Sequence, residues 1–275
     1  MMKLAITIAN QTSPRSPVVL SGDIAAIPKV RALGYDGCEL HSDSADVLDV
    51  NAISKACREN KISVSALATG RGYTKYGLSL IDDDESLRKQ AVRFVKKYVV
   101  VAEALRSSVI IGCIRGNLPA VALDSKDNQY YERLAFAMSE IVSFAHDHDV
   151  PIVLEAINRF ENNYLNSVHD VRDFIDNYAL KGVKILLDTF HMNIEDGDIY
   201  ETVAASRESL GYVHIADSNR WPPGFGHFDF ESFFKALYDI GYKGWVSAEC
   251  LPLPDEEQAA KQWIKYVKDM EERNE

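Results

Sequence analysis

Eight short apolar runs recur along the chain: Leu4–Ala9, Gly37–Leu40, Ile62–Leu67, Val109–Cys113, Pro151–Glu155, Val183–Leu187, Tyr212–Ala216 and Trp245–Glu249. Most are near-continuous rather than alternating, the pattern of parallel strands covered on both faces. Between them the apolar residues switch to steps of three or four. The clearest stripe, Leu87, Ala91, Phe94, Val95, Tyr98, Ala102 and Leu105, predicts a helix over Glu85–Leu105. Helices are also predicted over Asp23–Leu33, closed by Gly34, and over Ala52–Glu59 behind a cap at Asn51. The remaining helical segments are Tyr130–His146, Val168–Tyr178, Ile199–Ser209, Phe230–Ile240 and Glu256–Glu272. Eight strand-then-helix units with no Pro/Gly/Ser-rich linker predict one α/β domain over residues 1–275, a (β/α)8 TIM barrel. A doubly wound open sheet is the alternative, but no G-x-G-x-x-G follows the first strand.

Composition narrows the classes. The 275 residues are 47% hydrophobic and 26% charged without a low-complexity tract, enough to bury a substantial core. A formal charge of −11, from 30 basic and 41 acidic residues, argues against a nucleic-acid or anionic-membrane surface. The opening M-M-K-L-A-I-T-I-A-N is too short for a signal h-region and reads as a first strand. The run Tyr98–Leu105 is interrupted by Glu103 and falls far short of a membrane span. Cys38, Cys57, Cys113 and Cys250 form no C-x-x-C pair, so four reduced thiols in a cytoplasmic protein are expected.

In such a barrel the active site is built at the C-terminal ends of the strands. Asn10 and Gln11 follow the first, Glu39 and His41 end the second, Thr69-Gly-Arg-Gly-Tyr follows the third and Arg115-Gly-Asn the fourth. The loops from Ala68 to Asp84 and from Arg115 to Asn128 are long enough to act as lids or to be surface excursions. Glu155, Asp188, His214 and Glu249 exit the fifth to eighth strands. Three carboxylates brought together repel unless a cation stands among them. With one imidazole they suit Mn²⁺, Co²⁺ or Mg²⁺, with Zn²⁺ a weaker match. Each acid alone reads as readily as a rim salt bridge, but four donors in register on consecutive strands favour a metal. Glu161, His191, Arg220, Trp221 and Phe225 lie close by in sequence, and each serves a pocket or simple packing equally well.

The blocks L-E-A-I-N-R-F-E-N-N-Y-L-N, L-L-D-T-F-H-M-N-I-E, H-I-A-D-S-N-R-W-P-P-G-F-G-H-F-D-F and V-S-A-E-C-L-P-L-P closely resemble the ketose 3-epimerases. These belong to the xylose-isomerase-like barrel superfamily and include the tagatose/psicose 3-epimerases. With G-R-G-Y-T-K-Y-G-L-S-L and V-I-I-G-C-I-R-G, the chain is most similar to the 5-keto-L-gluconate epimerase group. The likeness covers most of the chain and is strongest over Ile152–Pro254.

The resemblance implies that Glu155, Asp188, His214 and Glu249 bind one divalent metal, Mn²⁺ first, and that Glu155 and Glu249 are the acid/base pair. It implies that Glu161, His191 and Arg220 contact the substrate's O1–O2 end. The expected reaction is inversion at C3 of a ketose or keto-sugar acid (5-keto-L-gluconate or tagaturonate type) through a cis-enediolate. Arg115, Arg71 and Lys75 read as binding a terminal carboxylate or as forming surface salt bridges, and Arg115 is taken as a substrate contact. The chain departs from the family pattern at Ala156, where Pro is commoner, and at Arg71. The expected partner is a small ketose or keto-acid, with neither nucleic acid nor membrane, in a homodimer or homotetramer. One rival is an aldose–ketose (or hydroxypyruvate-type) isomerase on the same barrel. Another is an endonuclease-IV-type AP endonuclease, whose extra His ligands are missing from T-G-R-G, C-I-R-G and S-N-R-W. A third is a non-catalytic sugar-binding barrel.

Overall fold

A computed structural model describes residues 1–10, 15–123 and 129–274. Gln11 and the end of the 115–128 loop, both singled out above, lie outside them. Eight strands pair in parallel in chain order: Lys3–Ala9, Gly37–Leu40, Ser63–Ala68, Ser108–Ile111, Ile152–Glu155, Val183–Asp188, Leu210–Ile215 and Trp245–Ala248. The eighth returns to the first, with Lys3 opposite Trp245 and Ile6 opposite Ala248, so the barrel closes as expected. A two-residue strand, Leu20–Ser21, lies beside the upper end of the first.

Strand residues are buried almost without interruption because helices cover the outer face and side chains fill the lumen. The larger core lies between strands and helices. A second cluster, Ala66, Ile110, Val153, Leu186 and Tyr212, packs inside the barrel, with Trp245 against it. Side chains alternate faces along a strand, so the next inward residues are Ala68, Gly112, Glu155, Asp188 and His214. That parity turns a run of apolar strands into a polar floor at one mouth.

Helix Glu85–Leu105 has its predicted bounds, capped by Asp84, whose carboxylate accepts from Ser86 N at 2.7 Å. Other boundaries moved for local reasons. The second helix, Val50–Asn60, starts behind Asp49 rather than Asn51, because Asp49 Oδ1 accepts from Ala52 N at 3.0 Å. The segment expected over Asp23–Leu33 is a 3₁₀ turn, Ile24–Ala26, followed by Ile27–Ala32. Pro28, which has no N–H to donate, sits in the first turn of the second piece. Three α-helices have no counterpart in the helices predicted above, Arg71–Tyr76, Ala120–Leu123 and Thr189–Glu195. All three are under eight residues, too short for an apolar stripe to show. The first packs the 68–84 segment onto the fourth strand's exit, where a Cβ on Gly72 would meet Ile114 Cδ1 at 2.6 Å. No helix among the described residues is long and apolar enough to cross a membrane.

Candidate active site

Glu155 ends the fifth strand, Asp188 ends the sixth, His214 lies one residue from the end of the seventh and Glu249 directly follows the eighth. One ligand atom from each lies within 4.8 Å of all the others. All four residues are buried. Gly112 makes room for this just past the fourth strand, since a Cβ there would stand 2.6 Å from Glu155 Oε2.

The donors are oriented by residues beneath and beside them. Glu39, fully buried on the second strand, lies 2.9 Å from His214 Nε2 and 2.7 Å from His41 Nε2, and takes a 3.1 Å hydrogen bond from the Tyr212 hydroxyl. A carboxylate only accepts, so both imidazoles donate from Nε2. His214 Nδ1 is thereby turned toward Glu249 Oε2, Glu155 Oε1 and Asp188 Oδ2, at 3.3, 3.6 and 3.8 Å. It is buried without a hydrogen-bond partner. Three carboxylates and an orphaned imidazole nitrogen facing one point fit a divalent cation, and the Glu39–His214 bond is the support a metal-bound histidine needs.

The electrostatics carry the same conflict. Burial raises Asp188 from 3.8 to about 7, with Glu249 and Glu155 adding to the rise and Arg220 and His214 opposing it. Burial also raises Glu155. Burial works the same way on Glu249, but the His214 and Arg220 charges outweigh it and hold that carboxyl well below its ordinary value. Burial works against a charged His214, yet Glu249 and Glu39 lift it well above the ordinary histidine value.

Arg220 Nη1 donates to Asp188 Oδ2 at 2.7 Å, and Nη2 donates to Glu249 Oε2. Its guanidinium lies 4.6 Å from the centre of the Phe190 ring. At φ +64° the residue occupies the left-handed region that side chains disfavour. The backbone holds it there: Arg220 N donates to Asp217 O at 2.8 Å and Leu251 N to Arg220 O at 2.7 Å. Asp217 in turn accepts from the N–H groups of Ser218, Gly224 and Phe228. Asp217 escaped the sequence reading, because nothing in H-I-A-D-S-N marks it as the loop's anchor.

Asn158, in the block L-E-A-I-N-R-F-E-N-N-Y-L-N, is fully buried. Its amide Nδ2 lies 2.7 Å from His191 Nδ1 and 3.1 Å from Glu161 Oε1, while Oδ1 accepts from Phe160 N. His191 therefore accepts at Nδ1 and presents Nε2–H to Glu155 and Asp188, each 3.7 Å away. Burial, then the Arg220 charge, holds His191 well below its ordinary value, so it is a neutral donor.

Arg115 calls for a correction. It is fully buried, and its guanidinium donates to the carbonyls of Glu155, Tyr164 and Leu165 and to Asn162 Oδ1. The charge expected to meet a substrate instead ties the 155–165 loop together through those carbonyls. Arg71 and Lys75 both pair with Asp43. Trp221 and Phe225 pack on each other at 5.6 Å between ring centres. The cavity above the donors measures about 380 Å³, within the range of about 300–1,000 Å³ typical of small-molecule sites. It is lined by Glu155, Glu161, His191, His214, Arg220 and Glu249 from one side and by His41, Ala68, Arg71 and Gly112 from the other. Arg115, Trp221 and Phe225 are not on its wall.

The sequence profile of the xylose isomerase-like TIM barrel family matches residues 27–270. The chain belongs to that family. An L-ribulose 3-epimerase of Methylomonas sp. is 31% identical over 245 residues, covering 84% of this chain and 82% of the relative. A D-psicose 3-epimerase of Agrobacterium fabrum is 30% identical over 81% of this chain and 77% of its own. A 3-dehydro-D-guloside 4-epimerase of Escherichia coli is 25% identical over 80% and 84%. The crystal structure of a Methylomonas D-allulose 3-epimerase in complex with D-allulose superposes with a TM-score of 0.82 at 24% identity. It covers 98% of this chain and 97% of that one, a likeness of fold.

Proposed function

We propose that this family member is a metal-dependent epimerase that inverts C3 of a ketose or keto-sugar acid. The observation that carries the proposal is the Glu155–Asp188–His214–Glu249 cluster with the orphaned His214 nitrogen at its centre. The 3-epimerase relatives support the reaction type. Glu155 and Glu249 are two carboxylates from different strands lining one cavity, as an acid/base pair requires.

One of the two takes the C3 proton, and the C–H electron pair moves into the neighbouring C2 carbonyl to give a planar cis-enediolate. The other returns a proton to C3 on the opposite face, and the carbonyl re-forms. The roles exchange with the direction of reaction. Glu155, Asp188, His214 and Glu249 would hold a divalent cation, Mn²⁺ in this reading, which would supply charge stabilisation for the enediolate. Neutral His191 and Glu161 hold the carbonyl end, oriented by Asn158, and Arg220 adds positive charge beside them. A substrate carboxylate at the far end is favoured by Arg71, which lines the cavity and shares the carboxylate of Asp43 with Lys75. The reaction is placed in the cytoplasm, where four free cysteines stay reduced.

A panel of 5-keto-L-gluconate, tagaturonate, D-fructose, D-tagatose and L-ribulose, assayed with Mn²⁺, tests the proposal. Product inverted at C3, with solvent deuterium entering at that carbon, is expected. Aldose products in place of epimers would replace it with the isomerase reading, and turnover of neutral ketoses alone would remove the keto-acid part.

A further inference from the structure

Glu39 holds two imidazoles by their Nε2 atoms and so leaves two Nδ1 atoms to account for. That of His214 faces the cation position. That of His41 has no hydrogen-bond partner among the described residues, although the ring is fixed and its side chain, 14% exposed, lines the cavity. A neutral imidazole that donates from Nε2 carries a lone pair on Nδ1.

His41 follows the second strand, across the eight-strand barrel from the sixth, which ends in Asp188. Around it the inward positions on the third and fourth strands are Ala68 and Gly112, residues that open space and offer no side-chain hydrogen bond. Glu161, His191 and Arg220, which meet the carbonyl end on the proposed function, all come from the other side. A polyhydroxy chain reaching across the cavity thus arrives at a pre-positioned acceptor.

We propose that His41 is a substrate-contacting residue whose Nδ1 accepts a hydrogen bond from a hydroxyl at the end of the chain remote from the carbonyl, at C5 or C6. The choice of a ketose as ligand rests on the epimerase reading; the placement of the acceptor does not. Such a contact discriminates by chain length, since the site's acceptor is left unpaired when the hydroxyl is absent.

Two variants separate contact from support. In His41→Gln the amide nitrogen keeps a donor for Glu39 while the Nδ1 acceptor is lost. In His41→Asn the side-chain oxygen stands near the Nδ1 position while the donor to Glu39 is lost. Each is compared with the unaltered protein, loaded with Mn²⁺, on D-tagatose, L-ribulose and L-erythrulose, by kcat/KM and by calorimetric Kd. His41→Gln should retain its metal and its melting temperature yet lose about 10- to 100-fold on D-tagatose, the loss expected for an unsatisfied buried partner. The ratio of unaltered protein to variant should fall toward one at the first ketose too short to carry the contacted hydroxyl. His41→Asn should bind D-tagatose better than His41→Gln at equal metal loading. A ratio constant down to L-erythrulose, or activity lost only in step with metal, would overturn the proposal. If the unaltered protein turned over none of the three, the neutral-ketose part of the epimerase reading would fall, and the Kd ratios would still decide the role of His41.

Discussion

The two arcs of the barrel mouth are built by different means. On the arc from the fifth to the eighth strand, the inward residues at the exits are long polar donors, Glu155, Asp188, His214 and Glu249. Each is placed by its own strand, and each repeats the inward parity of the lumen residue two positions earlier, as Glu155 does above Val153. On the opposite arc the inward positions at the exits of the third and fourth strands, Ala68 and Gly112, are small, and chemistry arrives indirectly. Glu39 works from below by orienting His214 and His41, while Arg71 and Lys75 come in on a short helix and gather at Asp43. One arc holds the groups proposed to react and the other shapes the space in front of them.

Removing a donor should break the comparison most sharply. Glu249→Gln is expected to lower kcat/KM by more than the roughly 10²–10⁴-fold of a single acid/base group, because cation retention fails with it. Turnover and metal content measured together decide this: bound metal with near-normal turnover would remove Glu249 from both roles. Next in size is Arg115→Met, which strips the donors from the Glu155, Tyr164 and Leu165 carbonyls. A loss of about 3 kcal/mol is expected from unsatisfied buried acceptors, read from urea unfolding. An unchanged midpoint would mean that water replaces the guanidinium.

Glu39→Gln tests whether the opposite arc reaches into the donor arc. An amide oxygen cannot serve two imidazoles and a tyrosine hydroxyl as a carboxylate does, so cation affinity should fall by about 10- to 100-fold. Competition with a chelator measures it, and equal affinity would reduce Glu39 to packing.

The smallest effect is the pH response, and it differs in sign between the arcs. Asp188 has a folded-state pKa raised to about 7 by burial first. Its protonated form is therefore favoured at low pH, and charging it as pH rises toward 7 destabilises the metal-free chain. The same rise favours cation binding, so affinity should climb by up to about tenfold per pH unit for Asp188 toward 7, and climb further above it as His214, lifted by Glu249 and Glu39, gives up its own proton. Asp43 is held below its ordinary value by Lys75 and then Arg71. Its contribution is present at neutral pH and is lost only as pH falls below the ordinary aspartate value of about 3.9. Cation affinity and metal-free stability followed across pH check both signs, and a flat affinity profile would contradict the Asp188 assignment.

Legibility follows the same division. The barrel was readable because eight buried parallel strands leave near-continuous apolar runs, and Glu85–Leu105 because 21 residues let a stripe repeat. The donor arc was readable because each donor closes such a run. Arg115 was misplaced because its charge is visible in sequence while the three carbonyls that receive it, 40 to 50 residues later, are not. Asn158 and Asp217 were passed over for a related reason: a buried amide or acid that organises a loop looks like any loop residue until its partners are in place.

What the sequence determined by itself, then, was periodic or local: strand count, barrel class and the four donors that end consecutive strands. Only the tertiary structure decided which imidazole nitrogen faces the cation position, which arginine meets carboxylates and which meets backbone, and that His41 looks into the cavity. Those outcomes depend on distance and direction between residues far apart in the chain. Hydrogen-bond chemistry is directional, and a residue type alone does not carry its direction.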